Sequence, residues 1–184
     1  MEHLARRGFE SVALHGKPDD GYEGSPGNLD QEIEALAVVA GQSFPPVLVA
    51  HGAGAFVAQK FLESYAASGL VLISPFPPHP GPCAERLRSL RPDLDSALLQ
   101  SLLGEQCALN LEPMGDIMPV LLVSATSDPV VTPADITAVL SQHHIQDHVE
   151  VEGTGTHFVF RDGTHWEGEC GLKRRISGWL DLAY

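Results

Sequence analysis

The chain has 184 residues, 43% hydrophobic and 19% charged, with a mean hydropathy of zero, a composition that suits one ordinary globular domain spanning 1–184. Eleven Lys and Arg against 24 Asp and Glu leave a formal net charge of -13, which repels phosphate backbones and anionic membrane surfaces and argues against a nucleic-acid partner. No apolar run approaches the roughly 18 residues of a membrane span, and 1–7 lacks the apolar centre of a signal peptide, so a cytoplasmic chain is expected.

Along the chain, short β-rich runs alternate with stretches of helical spacing, the pattern of parallel βαβ units. The strand-like runs are 10–15 (ESVALH), 46–50 (PVLVA), 69–74 (GLVLIS), 120–124 (VLLVS) and 148–152 (HVEVE). The middle three hold little polar alternation, which predicts strands covered on both faces. Asn28 or Asp30 can cap a helix carrying Ile33, Leu36, Ala37 and Ala40 on one side. Residues 54–65 give a second helix, Thr132 or Pro133 opens a third through Leu140, and 171–182 forms a last one. Between strands, 75–82 (PFPPHPGP) can continue neither helix nor central strand. Beyond it, 84–106 is leucine-rich and helical, so 76–113 is expected to form a small cap inserted over the sheet edge, either a lid on a pocket or only a connector, with Leu94, Leu98, Leu102 and Leu103 available to pack downward.

Cys83, Cys107 and Cys170 are odd in number and follow no metal-type spacing, which points to idle thiols instead of a disulfide framework. His144 and His148 have the i, i+4 spacing of a metal pair on a helix. No acidic partner stands where a metalloprotease base would be, and His148 begins a strand-like run, so no metal or other cofactor is expected.

Residues 47–63 (VLVAHGAGAFVAQKFLE) run from a strand through a glycine-rich turn straight into a helix. Such a turn can bind phosphate at the helix N-terminus, but no lysine follows the glycines and the Rossmann spacing is absent. The alternative is a nucleophile elbow, a sharp turn flanked by small residues that let strand and helix approach. At this point the chain resembles the α/β-hydrolase family, whose elbow reads Gly-x-Ser-x-Gly. Ala50 takes the first glycine, His51 the variable position, Gly52 the nucleophile, Ala53 the next position and Gly54 the final glycine. The serine is missing. Two further segments are similar in the family's order: 120–131 (VLLVSATSDPVV) to the strand whose end carries the acid, at Asp128, and 151–158 (VEGTGTHF) to the strand and loop that deliver the histidine, at His157. Alone, Asp128 is a turn residue before Pro129 and His157 an ordinary histidine; their order on these elements carries the resemblance.

The resemblance implies an α/β architecture: a mostly parallel sheet of about five strands flanked by helices. It implies an Asp128 that fixes the tautomer of His157, and an Ala53 N–H that serves as an oxyanion donor. The implied ligand is a small apolar molecule or ester. Residues 1–8 (MEHLARRG) are similar to the end of the family's first helix, so the family's first strands are expected to be absent. The strand at 10–15 must then pair directly with the elbow strand or leave a sheet edge open to a protein partner. The loop supplying a second oxyanion donor is lost with them.

Glycine at position 52 has its own rationale, because the elbow nucleophile sits at positive φ, which costs a non-glycine residue about 1–3 kcal/mol. Loss of the serine preserves folding and removes the atom that would be acylated. The expected function is a hydrolase-family protein that keeps Asp128 and His157 without a nucleophile, acting in binding or interaction. The alternative is a weak hydrolase of small carboxylic esters in which His157 activates a water. The N-myc-downstream-regulated proteins, a non-catalytic branch of the fold, look similar at the elbow alone. Among substitute nucleophiles, Cys83 and Cys107 lie in the insertion, Ser74 is expected to cap a turn, and His51 is expected to point away from His157.

Overall fold

The computed structural model describes residues 6, 10–12, 27–41, 45–93, 96–105, 107–152 and 172–183. Helix α1 (Leu29–Ala40) starts at Asn28, whose side chain accepts from the Gln31 N–H while the Gln31 side chain accepts from the Asn28 N–H. Asn28, and not Asp30, is therefore the cap. Strand β1 (Val47–His51) leads directly into α2 (Ala53–Phe61), and β2 (Gly69–Ile73) into the proline-rich segment. Next come α3 (Gly81–Leu90), α4 (Ala97–Leu102), a 3-10 turn at Met114–Asp116, and β3 (Val120–Ala125). Helix α5 (Pro133–His143), strand β4 (Asp147–Val151) and helix α6 (Leu172–Ala183) complete the described elements. Thr132 and Asp135 close α5 with the same reciprocal capping bonds.

All four strands are parallel and adjacent in chain order, β1-β2-β3-β4. The period of two sorts their side chains between two cores. Leu48, Ala50, Leu70, Leu72, Val120 and Leu122 pack with Phe56 and Phe61 of α2 and with Leu99 and Leu102 of α4. Val71, Ile73, Leu121 and Val123 face Ile176 and Leu180 of α6. Strands β2 and β3 are buried along their whole length, as expected of strands covered on both faces. Strand β1 departs from this: Val49 is 44% exposed, and among the described residues β1 pairs with β2 alone.

Two expectations need correction. Residues 10–12 are irregular instead of starting a strand, while 13–15 lie outside the described residues; four parallel strands of the sheet are described. The leucine-rich stretch at 84–106 is two short helices separated at Arg91 and Pro92, because proline disfavours helical geometry in the residue before it. Leu102 is fully buried and Leu98 and Leu103 pack at the core margin, while Leu94 lies outside the described residues. His144 ends α5 in a left-handed conformation and His148 sits in β4, in line with its strand-like run.

Candidate functional site

The turn from β1 to α2 consists of one residue. His51 is the last of the strand, Ala53 the first of the helix, and Gly52 between them adopts φ 56° and ψ -123°. Its N–H donates to Ile73 O at 2.9 Å and its carbonyl accepts from Ala55 N–H at 3.1 Å, so the turn is fixed from both strand and helix sides. This backbone region favours glycine strongly; a side chain there costs about 1–3 kcal/mol. The sharp one-residue turn from strand to helix expected from the sequence is thus present, with glycine at its tip. The small residue at position 54 serves a different end than expected. A β-carbon built on Gly54 would meet nothing within 4 Å, so close approach of strand and helix does not require glycine there.

Ala53 and Gly54 occupy the first two positions of α2, where amide groups have no intrahelical acceptor and the helix dipole is positive. Ala53 is partly buried and Gly54 is exposed. Beside them stands Ser74. His51 pairs with Ile73 in the parallel register, so the next residues, Gly52 and Ser74, are neighbours across the strands. Ser74 holds φ 42°, an uncommon conformation for a residue with a β-carbon. Its N–H donates to Val123 O at 2.8 Å, which anchors the backbone to β3. Ser74 is 1% exposed, and among the described residues its Oγ has no hydrogen-bond partner. The expectation that Ser74 caps a turn is therefore corrected.

Asp128 lies just beyond β3, 9% exposed, and its Oδ1 accepts from the Val130 N–H at 2.8 Å and the Val131 N–H at 3.0 Å. The residue that sequence reasoning missed is Arg86 of α3. Its Nε donates to Val130 O at 2.7 Å and its guanidinium pairs with Asp135 at 2.5 Å, the same carboxylate that caps α5. Arg86 thus ties α3 to the turn that Asp128 organises. It also donates to Cys83 Sγ at 3.0 Å; burial, together with the nearby Asp135 charge, pushes that thiol up to about 12, which makes it a poor nucleophile. His157 and its loop at 153–158 lie outside the described residues.

The other histidines settle into separate tasks. His144 Nδ1 pairs with Asp116 at 2.9 Å and His148 Nε2 with Ser124 Oγ at 2.8 Å, and among the described residues no group of three potential ligands forms a metal site. His143, fully buried, bonds through Nε2 to Gln59 Oε1 at 3.0 Å. The Gln59 amide donates to Ala55 O and Phe76 O, so its oxygen is the acceptor and His143 Nε2 carries the proton. Burial, with a smaller contribution from His144, lowers His143 to about 4. Its position near the end of an amphipathic helix, opposite a glutamine on a buried face, was the only sequence signal for this pair.

No family model matches the chain, and no curated protein matches it. Solved structures do. The ydeN gene product of Bacillus subtilis superposes with a TM-score of 0.65 at 18% identity, over 98% of this chain and 87% of that one. A thioesterase of the prodiginine biosynthetic pathway in Streptomyces coelicolor gives 0.63 at 17%, over 91% and 74%. A putative ydeN-like hydrolase of Pectobacterium atrosepticum gives 0.58 at 17%, over 89% and 76%. At these identities the likeness is one of fold, and the parallel sheet with its flanking helices is that of the α/β-hydrolases.

Proposed function

We propose that this chain is a non-catalytic α/β-hydrolase relative that binds a small apolar or acyl ligand at its elbow. In this reading Gly52 replaces the nucleophile, Asp128 and His157 remain from a catalytic ancestor, and the Ala53 N–H is a ligand donor. The segment 76–113 acts as the cap over the site. The observation that carries the proposal is the backbone of Gly52: a one-residue strand-to-helix turn at φ 56° and ψ -123°, built for display and displaying no attacking atom. The Arg86 contacts support the cap assignment, since they fasten α3 beside the Asp128 turn. No helix among the described residues is long and apolar enough to cross a membrane. The free thiols Cys83 and Cys107 are consistent with a cytoplasmic chain, and the second side of β1 is the edge on which a protein partner would add.

The test is turnover of a chromogenic short-chain ester by the purified chain beside its Gly52→Ser and His157→Ala variants. The parent should match buffer, and activity should emerge in Gly52→Ser. Parent turnover that disappears in His157→Ala would instead establish the water-activating hydrolase.

A further inference from the structure

We propose that Ser74 is the second ligand donor of the elbow and that, together with the α2 N-terminus, it selects a carboxylate: the ligand is a small acyl acid and not its ester. This rests on the binding function proposed above and names the ligand class.

The first observation is an orphaned group. Ser74 Oγ is enclosed and has no partner among the described residues, a rare condition for a buried hydroxyl and one an incoming ligand can correct. The second is its place. Ser74 follows Ile73 at the end of β2, and the Gly52 N–H donates to Ile73 O at 2.9 Å. There it adjoins Gly52, and parallel strands lie only about 4.8 Å apart. The third is the donor set. Ala53 and Gly54 contribute two amides at the positive end of a nine-residue helix.

Two amides and a hydroxyl that can donate form a set matched to an acceptor-only ligand. A carboxylate offers two oxygens and a full negative charge where the helix dipole favours one, whereas an ester offers one carbonyl and no charge. The net charge of -13 opposes the approach of an anion, so selection must come from these short-range contacts.

The experiment titrates the full chain with 13C-carboxyl-labelled hexanoate and with methyl hexanoate, following the amide resonances of Ala53 and Gly54. Hexanoate should shift both amides and bind about tenfold or more tightly than the methyl ester. Ser74→Ala should weaken hexanoate by about tenfold and leave the ester unchanged. Ser74→Gly, which relieves the positive φ and so keeps the fold, should do the same. Equal affinity for acid and ester, or hexanoate binding unaffected by both variants, overturns the Ser74 assignment alone. Failure of both compounds to bind the parent overturns the ligand-binding function and the assignment with it.

Discussion

Gly52 and Ser74 end adjacent parallel strands side by side, and both hold positive φ, 56° and 42°. The third such residue among those described, His144, is an ordinary left-handed helix end. Two strained neighbours at the mouth of a sheet mark a functional location, and they make opposite contributions to stability. At Gly52 glycine relieves strain, so Gly52→Ser should destabilise by about 1–3 kcal/mol. At Ser74 the native residue itself is the liability, so Ser74→Ala, which deletes an unsatisfied buried hydroxyl, should stabilise by about 1 kcal/mol. Thermal melts should move a few degrees in opposite directions; a Ser74→Ala variant that melts lower would mean the hydroxyl has an internal partner.

His143 gives the fold an acid-sensitive joint between α5 and α2. Its folded value of about 4 lies below the unfolded value of 6.5, so the unfolded chain binds the proton first. The stability due to neutral His143 is complete above about pH 6.5 and is lost as pH falls toward 4, by on the order of 3 kcal/mol. Beside His143, His144 pairs with Asp116 at 2.9 Å. Urea midpoints measured from pH 7.5 to 4.5 should fall in the parent and fall less in His143→Gln. An identical decline in both would assign the acid sensitivity elsewhere.

Gly115 and Gly54 should respond oppositely to alanine. A β-carbon at Gly115 would stand 2.6 Å from His144 O and 2.7 Å from His143 O, both backbone atoms, so Gly115→Ala must displace the end of α5 and should cost about 1–3 kcal/mol. Gly54 sits in a helix with nothing near its would-be side chain, and Gly54→Ala should gain about 0.5–1 kcal/mol. Chemical denaturation of the two variants checks both signs.

Arg86 should control the turn at Asp128 from outside it. Arg86→Ala removes bonds to Val130 O and Asp135 and should speed amide hydrogen exchange at Val130 and Val131, with a modest stability loss of about 1 kcal/mol. Arg86→Lys should recover only part of the protection, because an ammonium lacks the planar fork that reaches both acceptors. Unchanged exchange in Arg86→Ala would show the turn to be held by Asp128 alone.

The fold was legible because its signals are local. The apolar runs at 46–50, 69–74 and 120–124 lie within a residue of β1, β2 and β3, and Asn28 and Thr132 stand at helix starts where capping chemistry puts them. The elbow was legible as well, since a strand that enters a helix through a single small residue leaves few other conformations for Gly52. What escaped was tertiary. Nothing in the sequence around Ser74 signals its strain, which arises where β2 is held by β3 and meets the elbow. Arg86 and Asp135 are 49 positions apart, and Gln59 and His143 are 84 apart, so neither pair leaves a periodic trace.

The central claim is that position 52 holds the turn and lacks the nucleophile. It is tested most directly by treating the purified parent and Gly52→Ser with an alkyl fluorophosphonate and reading adducts by intact and peptide mass. The expected result is an unmodified parent and a single adduct at position 52 in the variant. An adduct on the parent, at Ser74 or any other serine, would contradict it.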